Sequence, residues 1–143
     1  MRPFCSMMNM RLSPGGWTIA NGDLDYVGSL WAASDAVHSI DLNGFTPATL
    51  RQTFITTPGA TYTVSFDLAG NSAGGPAVKR LRVTAAGQSA EKSFDTTGRS
   101  YAAMGWQRQS HTFTANSAST LLEFASLTDG SSGPALDNVC VVA

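Results

Sequence analysis

The stretch Thr61-Tyr62-Thr63-Val64-Ser65-Phe66-Asp67-Leu68 decides the fold class. Apolar and polar side chains alternate without a break along it, so one face of the extended chain is apolar and the other is polar. This alternation predicts a β-strand that packs one face against a core and turns the other face outward.

Shorter versions of the same pattern lie on both sides of this stretch. Turn-forming Gly, Pro, Asn and Asp residues separate them, and no segment has a convincing helical period. The predicted strands cover residues 17–20, 24–27, 38–42, 49–55, 61–68, 79–85, 89–94, 110–115, 122–124 and 135–142. Nine or ten short strands at this spacing predict an all-β jelly-roll β-sandwich.

The composition of the chain argues against several classes of protein. The chain has 143 residues, of which 43% are hydrophobic and 13% are charged, with a net charge of −1. These values argue against intrinsic disorder, and they argue against nucleic acid as a partner, because phosphate binding needs clustered Lys and Arg. No apolar run approaches the roughly 18 residues of a transmembrane segment.

The first residues differ from the rest of the chain. Residues 1–15 form an atypical N-terminal segment without strand or helix period, and residues 16–143 form the predicted sandwich domain. This segment is rich in Met and lacks the continuous apolar stretch of a secretory signal. We interpret it as a boundary placed inside a longer secreted protein.

Catalysis is not expected. The two histidines are dispersed, no Gly-Xaa-Ser-Xaa-Gly segment is present, and no spacing among the ten acidic residues singles out a pair. His111 alternates with Phe113, which favours a structural histidine over a general base.

Calcium is the metal that the residues suit best, because it needs only oxygen ligands. Asp41 and Asp137 are candidate ligands, since each interrupts an otherwise apolar strand. The alternative, which we weigh equally, is that each carboxylate accepts hydrogen bonds from backbone amides. No cofactor is required by this interpretation.

Aromatic side chains suggest a carbohydrate site. Six of them fall in predicted strands and should be core: Phe54, Tyr62, Phe66, Phe94, Phe113 and Phe124. Trp31 instead lies in a predicted loop beside Asp35, where an indole could stack on a sugar ring while polar groups bind its hydroxyls. With Tyr26 and the loop of residues 70–77, which contains Asn71, these residues form the predicted sugar-binding surface. The alternative is that Trp31 folds down and covers the sandwich.

Several segments together resemble a known family. They are Gly16-Trp17-Thr18, Asp25-Tyr26-Val27-Gly28-Ser29, Ser39-Ile40-Asp41-Leu42-Asn43-Gly44, Tyr62-Thr63-Val64-Ser65-Phe66, Leu68-Ala69-Gly70-Asn71, Phe94-Asp95-Thr96-Thr97-Gly98 and Gly133-Pro134-Ala135-Leu136-Asp137-Asn138-Val139. In this order they resemble the choice-of-anchor C family of bacterial exported proteins, over nearly the whole chain.

The resemblance implies a galactose-binding-like jelly roll, related to plant cell-wall domains of unknown function and to carbohydrate-binding modules. It also implies an extracellular or cell-surface location. Related modules bind calcium through an early Glu and an Asp near the last strand. Asp137 matches that Asp, whereas residues 1–16 contain no Glu.

We therefore expect a non-catalytic extracellular module that binds glycan or polysaccharide. The alternative function is a structural or self-assembling surface subunit, a homo-oligomer in which residues 7–12 pair with the sheet edge of a neighbouring chain. Residues 7–12 could instead fill the gap in the sheet of their own chain. A glycosidase-like enzyme ranks third.

The two cysteines leave two alternatives. Cys5 and Cys140 either form a bridge, which an exported protein permits, or remain two free thiols. We favour free thiols, because Cys5 lies in the atypical segment.

Overall fold

The computed structural model describes residues 17–34 and 39–143. These residues form ten strands, which confirms the predicted all-β class. The strands are β1 (Thr18–Asn21), β2 (Asp25–Val27), β3 (Ser39–Asp41), β4 (Thr49–Ile55), β5 (Thr61–Gly70), β6 (Val78–Ala85), β7 (Gln88–Asp95), β8 (Gln107–Thr114), β9 (Ser119–Ser126) and β10 (Pro134–Val142).

The strands divide equally between two antiparallel sheets. The first sheet has the order β1-β4-β9-β6-β7, and the second has the order β2-β3-β10-β5-β8. Neighbours in each sheet are mostly distant in sequence, as expected for a jelly roll, and the two sheets face each other across a single core.

The core forms where the alternation predicts it. Tyr62, Val64, Phe66 and Leu68 of β5 are all buried, and the Phe66 ring meets the Phe124 ring of the first sheet edge-on at 5.1 Å. Of the six aromatic residues predicted for the core, only Phe54 is partly rather than fully buried.

Strand β10 contains an irregularity that matters for the site. Its pairing with β5 shifts register between Asp137 and Cys140, and Asn138 adopts a left-handed backbone with φ of 49°. Asn138 tolerates this conformation better than most residues do. The backbone N–H of Asn138 donates to Asp137 Oδ1 at 2.7 Å, so the bulge helps to hold the Asp137 carboxylate in place.

The three loops at one end of the sandwich form what we call the loop end: residues 43–47, 71–77 and 127–133. Lys79 Nζ donates to the carbonyls of Gly74 and Ser132 at 2.8 and 2.7 Å and thereby joins the second and third loops. Asn43 Nδ2 donates to the carbonyls of Thr128 and Gly130, both at 2.7 Å, and joins the first and third.

The assembly hypothesis and the state of Cys5 both concern residues that the structure does not describe. Residues 1–15, including Cys5 and the proposed pairing strand 7–12, are not described, so the assembly hypothesis stays a prediction. Cys140 is disulfide-bonded, and Cys5 is the only other cysteine in the sequence. The expectation of two free thiols is therefore wrong, because Cys140, the cysteine among the described residues, forms a disulfide.

Among the described residues there is no helix with the length and apolarity needed to cross a membrane.

Candidate functional site

Trp31 is buried rather than exposed. Only 3% of its surface is accessible, and its indole Nε1 donates to Ser39 Oγ on β3 at 2.7 Å. Ser39 points to the outer face of the second sheet, because its neighbour Ile40 lies in the core. The expectation of an exposed stacking ring is thus wrong, and the alternative, that Trp31 covers the sandwich, is the one observed.

A second loop packs against Trp31. The Tyr101 ring lies edge-on to the indole at 5.6 Å, and Ala32 N–H donates to the Tyr101 carbonyl at 3.2 Å. Trp106 Nε1 donates to the Ala32 carbonyl at 2.9 Å. Residues 28–34 and 101–106 are therefore joined into one layer, which lies over the outer face of the second sheet where Trp31 covers Ser39.

This layer carries a shallow, open depression of about 500 Å³. Its lining is formed by Gly28, Ser29, Leu30, Trp31, Ala32, Ala33, Tyr101 and Ala102. Leu30 is 62% exposed and Ser29 is also exposed, so the depression offers an apolar wall and a hydroxyl to solvent. Small side chains elsewhere in the lining leave room for a ligand. We call this region the Trp31 depression.

Asn71 connects the depression to the loop end. Tyr101 Oη donates to Asn71 Oδ1 at 3.2 Å, and Asn71 Nδ2 donates to Asp41 Oδ2 at 2.9 Å. Three residues predicted for separate sugar and metal sites, Trp31, Asn71 and Asp41, therefore belong to one continuous chain of contacts.

The carboxylate of Asp41 is deeply buried and fully engaged. Its Oδ1 accepts hydrogen bonds from the backbone N–H groups of Asn43 and Gly133 at 2.9 and 3.1 Å. Burial raises the pKa of Asp41 to about 6, although these bonds and the one from Asn71 act in the opposite direction. Lys79 is also buried, and its desolvation lowers the pKa of its ammonium group, while the charge of Asp41 acts to raise it.

The Asp41 carboxylate is engaged by hydrogen bonds from the protein, and its calcium role stays a prediction. A bound cation would have to face three N–H donors that already point at the carboxylate, whereas calcium needs six to eight oxygen ligands. Within residues 17–34 and 39–143, no group of three or more His, Cys, Asp or Glu side chains could hold a metal ion. The geometry favours the alternative in which Asp41 accepts amide hydrogen bonds.

Asp137 is placed in a similar way. Its Oδ2 accepts hydrogen bonds from the backbone N–H and the hydroxyl of Ser34, at 3.0 and 3.1 Å. These bonds fasten the end of the Trp31 loop to β10. The observed role of Asp137 is therefore to hold that loop, and its calcium role stays a prediction.

One other predicted residue, Tyr26, is not brought to the depression. Tyr26 lies on edge strand β2, is 45% exposed, and is not among the lining residues. Asp35 lies outside the described residues. His111 has a structural contact, since its Nε2 lies 2.9 Å from the Gln88 carbonyl.

Comparison with known proteins identifies the family. A family model described as "Protein of unknown function (DUF642)" matches residues 5–142. The chain belongs to this family. The DUF642 chain is also 32% identical over 130 residues to halomucin of Haloquadratum walsbyi; the match covers 89% of this chain and 1% of halomucin.

Carbohydrate-binding modules are among the solved structures similar to this DUF642 domain. A family 35 module from Paenibacillus barcinonensis has a TM-score of 0.62 at 22% identity and covers 90% of this chain and 93% of its own. A family 61 module solved with β-1,4-galactotriose has a TM-score of 0.64 at 15% identity, with 94% of both chains covered. A family 35 module from Clostridium thermocellum has a TM-score of 0.63 at 13% identity and covers 100% and 99%. At these identities the likeness establishes the jelly-roll fold.

Sequence reasoning missed two aromatic residues of this DUF642 domain. Tyr101 joins the depression to Asn71, and Phe45 projects from the loop end with 89% of its surface exposed. Both lie beside turn signals between predicted strands, Gly98 before Tyr101 and Asn43-Gly44 before Phe45. The criterion that selected Trp31, an aromatic residue in a loop, would have found them too.

Proposed function

We propose that this domain is a non-catalytic extracellular module that binds a glycan or polysaccharide chain in the Trp31 depression. The observation that carries the proposal is the depression itself, a preformed concave surface with an exposed apolar wall on a jelly-roll fold. The carbohydrate-binding modules among the structural neighbours support it, and one of them was solved with β-1,4-galactotriose.

Each part of the depression has a role in this proposal. Leu30 and the Tyr101 ring contact the apolar C–H face of a sugar, and Ser29 and backbone groups of residues 28–33 bind its hydroxyls. Trp31 supports these groups from below, and Asn71 positions Tyr101 through its hydrogen bond to the phenol. Asp35 follows Ser34 directly in sequence and remains a proposed hydroxyl ligand, with Tyr26 at the periphery.

The location belongs to the same proposal. A disulfide at Cys140 favours an oxidising compartment, and the similarity to part of halomucin agrees with a surface protein. Membership of the choice-of-anchor C group within this wider family remains our proposal from the sequence segments described above.

The test is binding to a panel of soluble polysaccharides: β-1,4-galactan, β-1,3-galactan, xylan and hydroxyethylcellulose as neutral probes, with polygalacturonate as an acidic one. Affinity electrophoresis and calorimetry measure the dissociation constant of the wild type, of Leu30→Ala and of Ile55→Ala. Ile55 is 82% exposed at the far end of β4, so its variant removes a similar apolar side chain away from the depression.

We expect Leu30→Ala to weaken binding about tenfold and Ile55→Ala to leave it unchanged, since an apolar contact of this size is worth about 1–2 kcal/mol. Absence of binding to every probe, or equal affinities for the two variants, would refute the proposed site.

A further inference from the structure

Phe45 is the most exposed large hydrophobic residue among those described, with 89% of its surface accessible. It lies in the turn between β3 and β4, at the loop end. The phenyl ring therefore contributes little to the core and is available for a contact with another molecule.

The turn that carries Phe45 is held firmly by one side chain. The Asp23 carboxylate accepts the backbone N–H groups of Phe45 and Thr46 at 3.0 and 2.8 Å, and the Thr46 hydroxyl at 2.7 Å. Gly44 N–H donates to the Asp23 carbonyl at 2.8 Å. These bonds, led by that from Phe45, lower the pKa of Asp23, so the carboxylate is ionised and able to hold the turn at neutral pH.

A neighbouring loop is fixed to the same turn. Asn43, two residues before Phe45, donates to the carbonyls of Thr128 and Gly130. Ser126 Oγ donates to Asn43 Oδ1, which fixes the orientation of the amide. The loop therefore keeps exposed Asp129, which precedes Gly130, close to the Phe45 turn. The backbone that carries the aromatic ring is thus ordered before any ligand arrives, which lowers the entropy lost on binding.

The surroundings of Phe45 indicate what it contacts. The turn around Phe45 presents polar and acidic groups: Asp23 accepts hydrogen bonds from Phe45 and Thr46, and exposed Asp25 lies on the adjoining strand. A second protein surface would need a larger apolar area around the ring. An anionic membrane would be repelled by the carboxylates. A sugar ring combines an apolar C–H face for the phenyl group with hydroxyls for the polar groups around it.

We propose that Phe45 is a second carbohydrate contact, an aromatic platform that stacks on one sugar ring of a neutral polysaccharide chain at the loop end. This inference rests on the proposed function, but it concerns a surface that the Trp31 depression does not include. Two separate contacts on one domain raise the affinity for long chains more than for short oligosaccharides, because the second contact becomes intramolecular.

The experiment compares Phe45→Ala, Phe45→Trp, Leu30→Ala and the control Ile55→Ala. Each is titrated with the neutral polysaccharide that binds the wild type best in the panel above, and with a trisaccharide of the same linkage. Because Phe45 and Ile55 are both largely exposed, we expect both alanine variants to keep the wild-type unfolding midpoint.

We expect Phe45→Ala to weaken binding to the polysaccharide about tenfold, and Phe45→Trp to restore or strengthen it, while Ile55→Ala stays at the wild-type value. The affinity for the trisaccharide should change less than that for the polymer.

Three outcomes would overturn the inference. If Leu30→Ala loses binding but Phe45→Ala matches Ile55→Ala, the proposed function stands and the Phe45 contact fails. If the wild type binds none of the probes, both fail together. If Phe45→Ala instead changes the sedimentation coefficient or the binding to phosphatidylserine vesicles while sugar binding stays intact, Phe45 contacts protein or lipid.

Discussion

The position of Trp31 shows how a loop tryptophan becomes part of a structural layer. The indole lies over the outer face of the second sheet and donates its N–H to Ser39. The loop is fastened at its other end by Ser34, which donates to Asp137. A buried Trp whose N–H has a partner loses both packing and a hydrogen bond when it is truncated.

Truncation of Trp31 should therefore destabilise the domain. We expect Trp31→Ala to lower the free energy of unfolding by about 3–5 kcal/mol, the range for a buried Trp, as measured by urea denaturation. Ile55→Ala, at an exposed position, should stay within about 0.5 kcal/mol of the wild type. A loss below about 1 kcal/mol for Trp31→Ala would mean that the ring is exposed in solution.

At the scale of the loops, a buried network of hydrogen bonds holds the loop end together, whereas apolar packing holds the two sheets together. Asp41 accepts hydrogen bonds from Asn43, Gly133 and Asn71, one residue from each loop of the loop end or its boundary. Lys79 joins two of the same loops through backbone carbonyls. Because both charged groups are buried, the stability of the loop end should depend on pH.

Asp41 should make the domain less stable as pH rises from about 4 to about 6. Burial raises its pKa from 3.8 to about 6, so the folded protein holds this proton more tightly than the unfolded chain does. The stabilising contribution of Asp41 is therefore fully present below pH 4. It decreases as the pH rises from about 4 to about 6 and does not change further above about 6. The gap between the two pKa values corresponds to about 3 kcal/mol.

The measurement is the free energy of unfolding as a function of pH for the wild type, Asp41→Asn and the exposed control Asp129→Asn. The difference between wild type and Asp41→Asn should change by up to about 3 kcal/mol between pH 4 and 6. Parallel curves for all three proteins would contradict a raised pKa at Asp41.

The strands could be predicted from the sequence because each carries its own signal. Alternation marks β5 from Thr61 to Leu68, and every predicted strand overlaps an observed one. The boundaries could not be predicted as well. Strand β5 continues to Gly70 because Ala69 and Gly70 pair with Ala135 and Pro134 of β10, a partner that local alternation does not reveal.

The site was harder to predict than the strands for a related reason. Residue type and loop composition identified Trp31, Asn71 and Asp41, which do lie in one chain of contacts. They did not indicate whether Trp31 faces solvent or the sheet. Burial of a loop side chain depends on what lies beneath it. Here that is Ser39 of β3, a contact that the local sequence pattern does not reveal.

At the scale of the whole molecule, the two sheets have different outer surfaces. Residues 28–34 and 101–106 cover part of the second sheet and form the Trp31 depression there. On the outer face of the first sheet, Arg80 and Glu91 form an exposed ion pair at 2.6 Å, a contact that contributes little to stability. The concave surface of the Trp31 depression therefore lies on the second sheet, whose outer face is partly covered by loops.

The disulfide at Cys140 acts on the whole chain. The other cysteine is Cys5, so an intrachain bridge closes a loop of nearly the entire sequence. On the chain-entropy estimate, closing a loop of that length lowers the entropy of the unfolded chain and stabilises the folded protein by about 5 kcal/mol. We expect the intact protein to show no free thiol when titrated in denaturant without reductant. Reduction, or Cys140→Ser, should lower the free energy of unfolding by about 2–5 kcal/mol.

The disulfide at Cys140 can join two parts of one chain or join two chains, and gel electrophoresis distinguishes these two forms. An intrachain bond gives a monomer on a non-reducing denaturing gel, with faster migration than the reduced chain because the loop stays closed. A band at twice the monomer mass that disappears with reductant would show that Cys140 pairs with a second chain. In that case the covalent bond would join neighbouring copies, and the assembly predicted for the N-terminal segment would gain its first support. We expect the monomer, because the two ends of a domain commonly lie near each other and can then be bridged within one chain.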